Sequence, residues 1–339
     1  MHILILRILL LLSSALLSTA CNGPAPQLKP DASNNFPVHP YEDSNPSSNH
    51  YGPATYSGVF LKPSELEPAV EFWRKTYAQW YRSNVAIHDD RYMDVIYEVI
   101  IVPGVVEESL TTEQKEHVKN RREFWKNELM VLDSKVRVNA ALTASEKQIL
   151  AKLRNNGRTL NAVLPGANER VRSQRGTRER FQKGLEISRQ YDRQFRKIFR
   201  EAGLPEDLAY LPHVESSFQP NAKSSAGAVG MWQFTKGAAK TFMPAGDRID
   251  QRLDPMASAT GAARYLKFAY NKLKDWPAAI TSYNHGIGGM KKAQNQVGHD
   301  FATIVRSYDG PAFGFASRNY YAQFLAAREI ASNPMQYLR

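Results

Sequence analysis

Cysteine is almost missing from this sequence: Cys21 is the one cysteine in 339 residues, so no disulfide can form within the chain. No internal repeat of fixed period is present, which excludes solenoid and propeller architectures. His213 and His285 stand alone, with no clustered His, Cys or Asp spacing around them, so no metal site is read and no cofactor is implied. Acidic residues are in deficit, 33 against 44 Lys and Arg, for a formal charge of +11. That excess favours anionic partners such as phospholipid headgroups, acidic wall polymers or nucleic acid. Apolar runs at the N-terminus are short: Arg7 is followed by Ile8 to Leu12 and then Ala15 to Leu17, with small residues before Cys21. This layout is that of a secretory signal over residues 1–20, too short and wrongly flanked for a membrane span. Export removes nucleic acid from the expected partners.

What is present begins with Cys21 itself. It follows Leu-Ser-Thr-Ala directly, a setting similar to a bacterial lipobox, in which the cysteine is lipid-modified and becomes the new N-terminus. Ser18 occupies the place where Leu is usual, and Ser18 with Ala20 also suits an ordinary signal peptidase cutting after Ala20, so plain secretion stays open. Asn22 resembles the residue beside the cysteine in lipoproteins sent to the outer membrane. The expected location is the cell envelope, facing the periplasm, with the membrane reached through a lipid anchor. Residues 21–55 are rich in Pro, Asn, Ser and Gly and poor in aliphatics. They cannot bury enough apolar surface to offset ordering entropy, and read as a tether.

From about residue 60 the pattern becomes helical. Ser64 with Glu67, Thr111 with Gln114 and Thr143 with Glu146 read as capping boxes. Val70, Trp73, Tyr77, Trp80 and Tyr81 follow helical spacing and read as core. Val95 to Val102 is dense in β-branched residues and fits a strand or a buried helix, ended by Pro103-Gly104. Residues 170–180 are strongly basic and lead into a helical apolar pattern from Phe181 to Phe199, so the arginines read as a solvated or phosphate-facing surface. Residues 56–167 are expected to be mainly helical.

Gly203-Leu204-Pro205-Glu206-Asp207 marks a helix boundary: the glycine closes one helix, the proline fits the first turn of the next, and the acids complement its dipole. The new helix is expected to run to about Ser217, bent at Pro212. Glu215 then lies near its C-terminal end, among Leu211, Val214 and Phe218. A negative helix end and partial desolvation both disfavour the carboxylate, so Glu215 should hold its proton tightly. A protonated carboxyl at neutral pH is what a glycosidase needs as its acid.

Four motifs in order extend this reading. Glu215-Ser-Ser-Phe-Gln-Pro-Asn-Ala-Lys-Ser224 is followed by Gly227-Ala-Val-Gly-Met-Trp-Gln233-Phe, then Thr281-Ser-Tyr283-Asn284, then Ser317-Arg-Asn-Tyr320-Tyr. Together they resemble the family 1 lytic transglycosylases, and Gly203 to Phe218 resembles the membrane-bound D branch of that family. The resemblance covers roughly residues 168–332. It implies an all-α, lysozyme-like domain over 168–339 that cleaves peptidoglycan glycan strands between N-acetylmuramic acid and N-acetylglucosamine. By it, Glu215 is the single catalytic acid and base, and the muramic acid C6 hydroxyl is the nucleophile that closes a 1,6-anhydro ring. Because that nucleophile belongs to the substrate, a second enzyme carboxylate is not needed. Ser224 would hydrogen-bond the substrate or the oxocarbenium-like centre, and Gln233 and Asn284 would orient the saccharide. Tyr283 and Tyr320 would hold the Glu215 carboxyl. Ser216 stands with this substrate-binding set, although its nearer role is to satisfy backbone at the helix end. Trp232 reads as core, and Asp247, Asp250 and Asp254 read as turn and cap residues rather than a second acid. Two other readings stay open: a lysozyme-type hydrolase that uses water, and a non-catalytic glycan-binding lipoprotein.

Overall fold

The computed structural model describes residues 58–243 and 250–338. The signal at 1–20, Cys21, the tether and Asp247 lie outside the described residues. Among those described, no helix is long and apolar enough to cross a membrane.

In chain order the elements are α1 (Glu67–Arg74), β1 (Asn84–Asp89), β2 (Ile96–Ile101), α2 (Thr112–Arg137), α3 (Ala144–Arg154), α4 (Leu160–Val163), β3 (Val171–Arg175), α5 (Arg178–Ser188) and α6 (Asp192–Glu201). They continue with α7 (Leu211–Glu215), α8 (Lys236–Phe242), α9 (Pro255–Leu273), α10 (Trp276–His285), α11 (Ile287–Val297), α12 (Phe301–Ser307), α13 (Phe315–Ser332) and α14 (Pro334–Tyr337). The chain is mainly helical, as the sequence leads one to expect, with one small sheet in addition. Val95 to Val102 resolves to a strand, because its β-branched residues find partners on β1.

The sheet has the order β2-β1-β3, all antiparallel. Val85 lies opposite Ile100 on one side and Arg175 on the other, and the β1–β2 register slips between Ile87 and His88. Alternation along β1 sends its side chains to two different cores. Val85 and Ile87 join Leu129 and Leu132 of α2, Leu150 and Leu153 of α3, and Val171 of β3. Ala86 faces the larger core, built from Val70, Phe72 and Trp73 of α1 together with Phe181, Phe195, Trp232, Tyr320 and Phe324. His88, wholly buried, packs its ring 4.5 Å from Phe72 and 5.7 Å from Phe315. Burial holds this histidine neutral, pushing its pKa down to about 3.

Sheet and core both run across position 168. β3 needs β1 as its partner, and α1 lies against α13, where Trp73 Nε1 donates to Asn319 Oδ1 at 3.2 Å. Residues before 168 therefore supply part of the framework of the C-terminal half.

Two of the three expected capping boxes form, at Thr111–Gln114 and Thr143–Glu146. The third does not: Ser64 opens a short 3-10 turn and donates to its neighbour Glu65, leaving α1 to begin after Leu66 with Pro68 in its first turn. Trp80 and Tyr81 also leave the helical stripe, since α1 passes into a single π-helical turn, Lys75–Gln79, and ends there in extended backbone at Trp80.

The basic segment corrects the solvated-helix reading. Residues Val171–Arg175 are strand, and the arginines clamp backbone and carboxylates. Arg170 Nε meets Asp89 Oδ2 at 2.9 Å, Arg175 binds the carbonyls of Arg82, Glu107 and Glu108, and Arg178 binds the Ala78 carbonyl. Arg172 lies over the Phe315 ring at 4.1 Å. The helical period begins only at α5.

Candidate active site

Glu206–Tyr210 forms a 3-10 turn that feeds directly into α7. Pro212 occupies the first turn of α7, where no N–H is required, so the expected bend becomes a change of helix type at Tyr210–Leu211. Glu215 is the last residue of α7 and is half-buried. The chain then turns sharply. Ser217 and Phe218 both have positive φ, at 54° and 58°, and Phe218 N–H returns to Pro212 O at 3.0 Å. Non-glycine residues in this region store strain and need a surrounding that over-determines them. That surrounding includes Gly184 of α5, where an added Cβ would stand 2.7 Å from the Ser217 carbonyl oxygen.

Tyr320 of α13 donates its hydroxyl to Glu215 Oε1 in a short hydrogen bond. Burial pushes the Glu215 carboxyl up to about 7, against the Tyr320 hydrogen bond, which favours the ionised form. The Tyr320 hydroxyl is itself driven well above its ordinary value, first by burial and then by the Glu215 charge, so it stays a donor. With Oε1 accepting from Tyr320, Oε2 is the oxygen left to carry a proton.

The remaining expected site residues divide by what they touch. Ser216, buried, donates to Met231 O at 2.8 Å, and Tyr283 donates to Trp232 O at 3.0 Å. Gln233, at a positive φ of 49°, donates to Gly230 O at 2.8 Å and to Ala222 O. All three therefore converge on the turn Gly230–Gln233 and fix it beside the Glu215 turn. Tyr283 does not bond the Glu215 carboxyl as expected, because the Trp232 carbonyl takes its hydroxyl. Gln233 lies in the turn and not on a helix, which begins at Lys236. Ser224 caps its own loop, accepting from Ala228 N–H at 3.0 Å, and is partly exposed. Asn284 is buried and accepts from Ser317 at 2.8 Å. Trp232 is wholly buried, as its core reading requires. Asp250 caps the 3-10 turn Gln251–Leu253 and pairs with Arg252, while Asp254 caps α9. Among the described residues no group of three His, Cys, Asp or Glu side chains is arranged to hold a metal ion.

Three further residues near the site were not among the expected site residues. Arg180 of α5 reaches the Ser216 carbonyl at 3.4 Å. His213, two residues before Glu215, is kept neutral by burial, its pKa pushed to about 3, and stacks 4.8 Å from Phe181. Tyr77, on the π turn, also stacks on Phe181, at 5.0 Å. Only their helical spacing was visible, and spacing does not say which distant residue a side chain meets.

Residues 195–303 match the family model described as the transglycosylase SLT domain. The span includes Glu215, Ser224, Gln233, Tyr283 and Asn284, and ends before Tyr320. The chain is 30% identical over 142 residues to membrane-bound lytic murein transglycosylase D of Escherichia coli (strain K12), an alignment covering 41% of this chain and 30% of that protein. It is 35% identical over 158 residues to peptidoglycan transglycosylase gp16 of Escherichia phage T7, covering 43% of this chain and 10% of that protein. The chain thus spans under a third of the length of either relative. Among solved structures, the 70 kDa soluble lytic transglycosylase of Escherichia coli aligns over 66% of this chain and 44% of its own, at 14% identity and a TM-score of 0.36. Over residues 195–303, then, the chain is similar to the transglycosylase SLT domain.

Proposed function

We propose that the protein is a peptidoglycan lytic transglycosylase in which Glu215 alone serves as acid and base. The observation that carries this reading is a carboxyl at a strained helix end, held on one oxygen by Tyr320 and raised to about 7, inside the segment that matches the SLT domain. Protonated Glu215 donates from Oε2 to the glycosidic oxygen between N-acetylmuramic acid and N-acetylglucosamine as the bond to the anomeric carbon breaks. The resulting carboxylate, stabilised by the Tyr320 hydroxyl, takes the proton from the muramic acid C6 hydroxyl. That oxygen closes on the anomeric carbon and the proton returns to Glu215, so the enzyme ends as it began and no water is consumed. Ser224 and the Gly230–Gln233 turn would border the saccharide, and Asn284, tied to Ser317, would shape the wall behind it. Residues 168–339 would form the lysozyme-like body, and Cys21 with residues 22–55 would tether it to the outer membrane from the periplasmic side.

The test is digestion of isolated sacculi by the chain from residue 22 onward beside Glu215→Gln, with muropeptides identified by mass. The expected products end in 1,6-anhydro-muramic acid, and the variant should lose at least about 10²-fold in rate. Reducing-end products would instead make the protein a hydrolase, and none from several sacculus types would make it a binding module.

A further inference from the structure

The π turn Lys75–Gln79 stands outside the matched SLT segment, yet it packs against α5 and against α13, the helix that carries the tyrosine. π turns are rare and cluster at functional positions. Tyr77, on this turn, is buried and makes two directed contacts. Its hydroxyl donates to Gln323 Oε1 at 3.2 Å, and Gln323 lies one helical turn after Tyr320 on α13. Its ring stacks on Phe181 at 5.0 Å and 21°, and Phe181 stacks on His213 at 4.8 Å and 25°, two residues before Glu215 on α7. One side chain therefore meets the helix of Tyr320 by a hydrogen bond and reaches the helix of Glu215 through Phe181 of α5. The turn is itself held in place: Thr177 N–H donates to Thr76 O at 2.9 Å, and Arg178 binds the Ala78 carbonyl.

We propose that Tyr77 is a positioning residue for the Glu215–Tyr320 pair, fixing the distance between α7 and α13 and closing the wall behind the carboxyl against water. The proposal rests on the reading of Glu215 as the acid. The groups that bear on Glu215 are Tyr320 from α13, Tyr283 from α10 and Tyr77 from the π turn, with Arg180 of α5 at the neighbouring Ser216 carbonyl and His213, buried and neutral, on the same helix. Burial is the largest influence on Glu215, so its protonation depends chiefly on exclusion of water, the part that falls to the buried Tyr77. The Tyr77 hydroxyl is likewise raised, first by burial and then by Glu215, which keeps it a donor to Gln323.

The experiment follows the Glu215 carboxyl directly, by NMR titration of the full chain with isotope-labelled glutamate carboxylates and Glu215→Gln as the assignment control, alongside pH profiles on sacculi. Tyr77→Leu, which removes both stack and hydrogen bond, should lower the Glu215 midpoint by about one unit. It should also lower kcat about tenfold while KM moves less than about twofold. Tyr77→Phe, which keeps the stack, should leave the midpoint in place and lower kcat less. Its effect should not add to that of Gln323→Leu, because both remove the same bond. An unchanged midpoint and kcat in Tyr77→Leu, with only a lower melting temperature, would overturn the proposal and leave Tyr77 as packing. A shifted midpoint in a protein inactive on every sacculus would sustain the positioning role and remove the transglycosylase reading instead.

Discussion

Between the ordinary glutamate range near 4.5 and about 7, the folded chain keeps a proton on Glu215 that the unfolded chain has released. The native state then binds more protons than the unfolded state, so stability must fall as pH rises through this window. The contribution is whole below 4.5 and lost above about 7. Glu215→Gln, a neutral isostere of the protonated acid, should match the parent near pH 4 and exceed it near pH 8 by up to about 3 kcal/mol, read from urea unfolding at each pH. A constant difference across pH would mean that Glu215 titrates as a solvated carboxyl. His88 and His213 shift the other way, both held neutral by burial, but they are common to the two proteins and cancel. The direction of the carboxyl's shift was legible in the apolar residues around Glu215, but the burial that produces it, and the Tyr320 hydrogen bond that opposes it, come from elements far along the chain. The backbone role of Ser216 was legible too, since it meets the Pro212 carbonyl of its own helix end as well as Met231 O, whereas the partner choices of Gln233 and Tyr283 were not. Their type and order were visible, but a carbonyl of the Gly230–Gln233 turn and a substrate hydroxyl demand the same donor chemistry.

At the scale of elements, what the sequence announces is what neighbouring residues can settle between themselves. Thr111 and Thr143 each meet a partner three residues ahead and form their capping boxes. Ser64 fails because α1 starts later than the pattern implies. The arginines of residues 170–180 look solvated until β1 and the Glu107–Glu108 carbonyls arrive from far along the chain. The Gly230–Gln233 turn is likewise built by remote contacts. Arg252, buried, ties Asp250 to the Gly227 and Phe234 carbonyls at 3.0 and 3.1 Å. Gly230 has a φ of +80°, and a Cβ there would fall 2.1 Å from the Arg252 carbonyl oxygen. Gly230→Ala must therefore move the turn away from Arg252 and break the seat of Ser216 and Tyr283. It should cost about 3 kcal/mol in chemical unfolding, the upper range for overpacking added to backbone strain. The exposed Gly227→Ala, with the same sign of φ but open space around it, should cost less, and equal losses would show that strain alone decides.

On the scale of the whole molecule, a boundary at 168 separates composition but not structure. Motifs gather after it, so the sequence places the chemistry there, whereas the supports of that chemistry begin at α1. Val70, Phe72, Trp73 and Tyr77 are all buried in the same core as Phe181, Trp232 and Tyr320. Removing them exposes the facing surface of α13, and burial of each such side chain is worth roughly 1.5–3 kcal/mol. Four of them together rival the entire stability of an ordinary domain, about 5–15 kcal/mol. Deleting residues before 168 also leaves β3 without β1, so its backbone groups lose their ladder. A fragment of residues 168–339 should therefore lack a cooperative thermal transition by circular dichroism and calorimetry, while a fragment of residues 58–339 should melt as one unit. A cooperative melt of the shorter fragment near that of the longer one would mean that α1 and β1 lean on an independently folded body, and the contacts of Trp73 and Tyr77 with α13 would then be accessory to it.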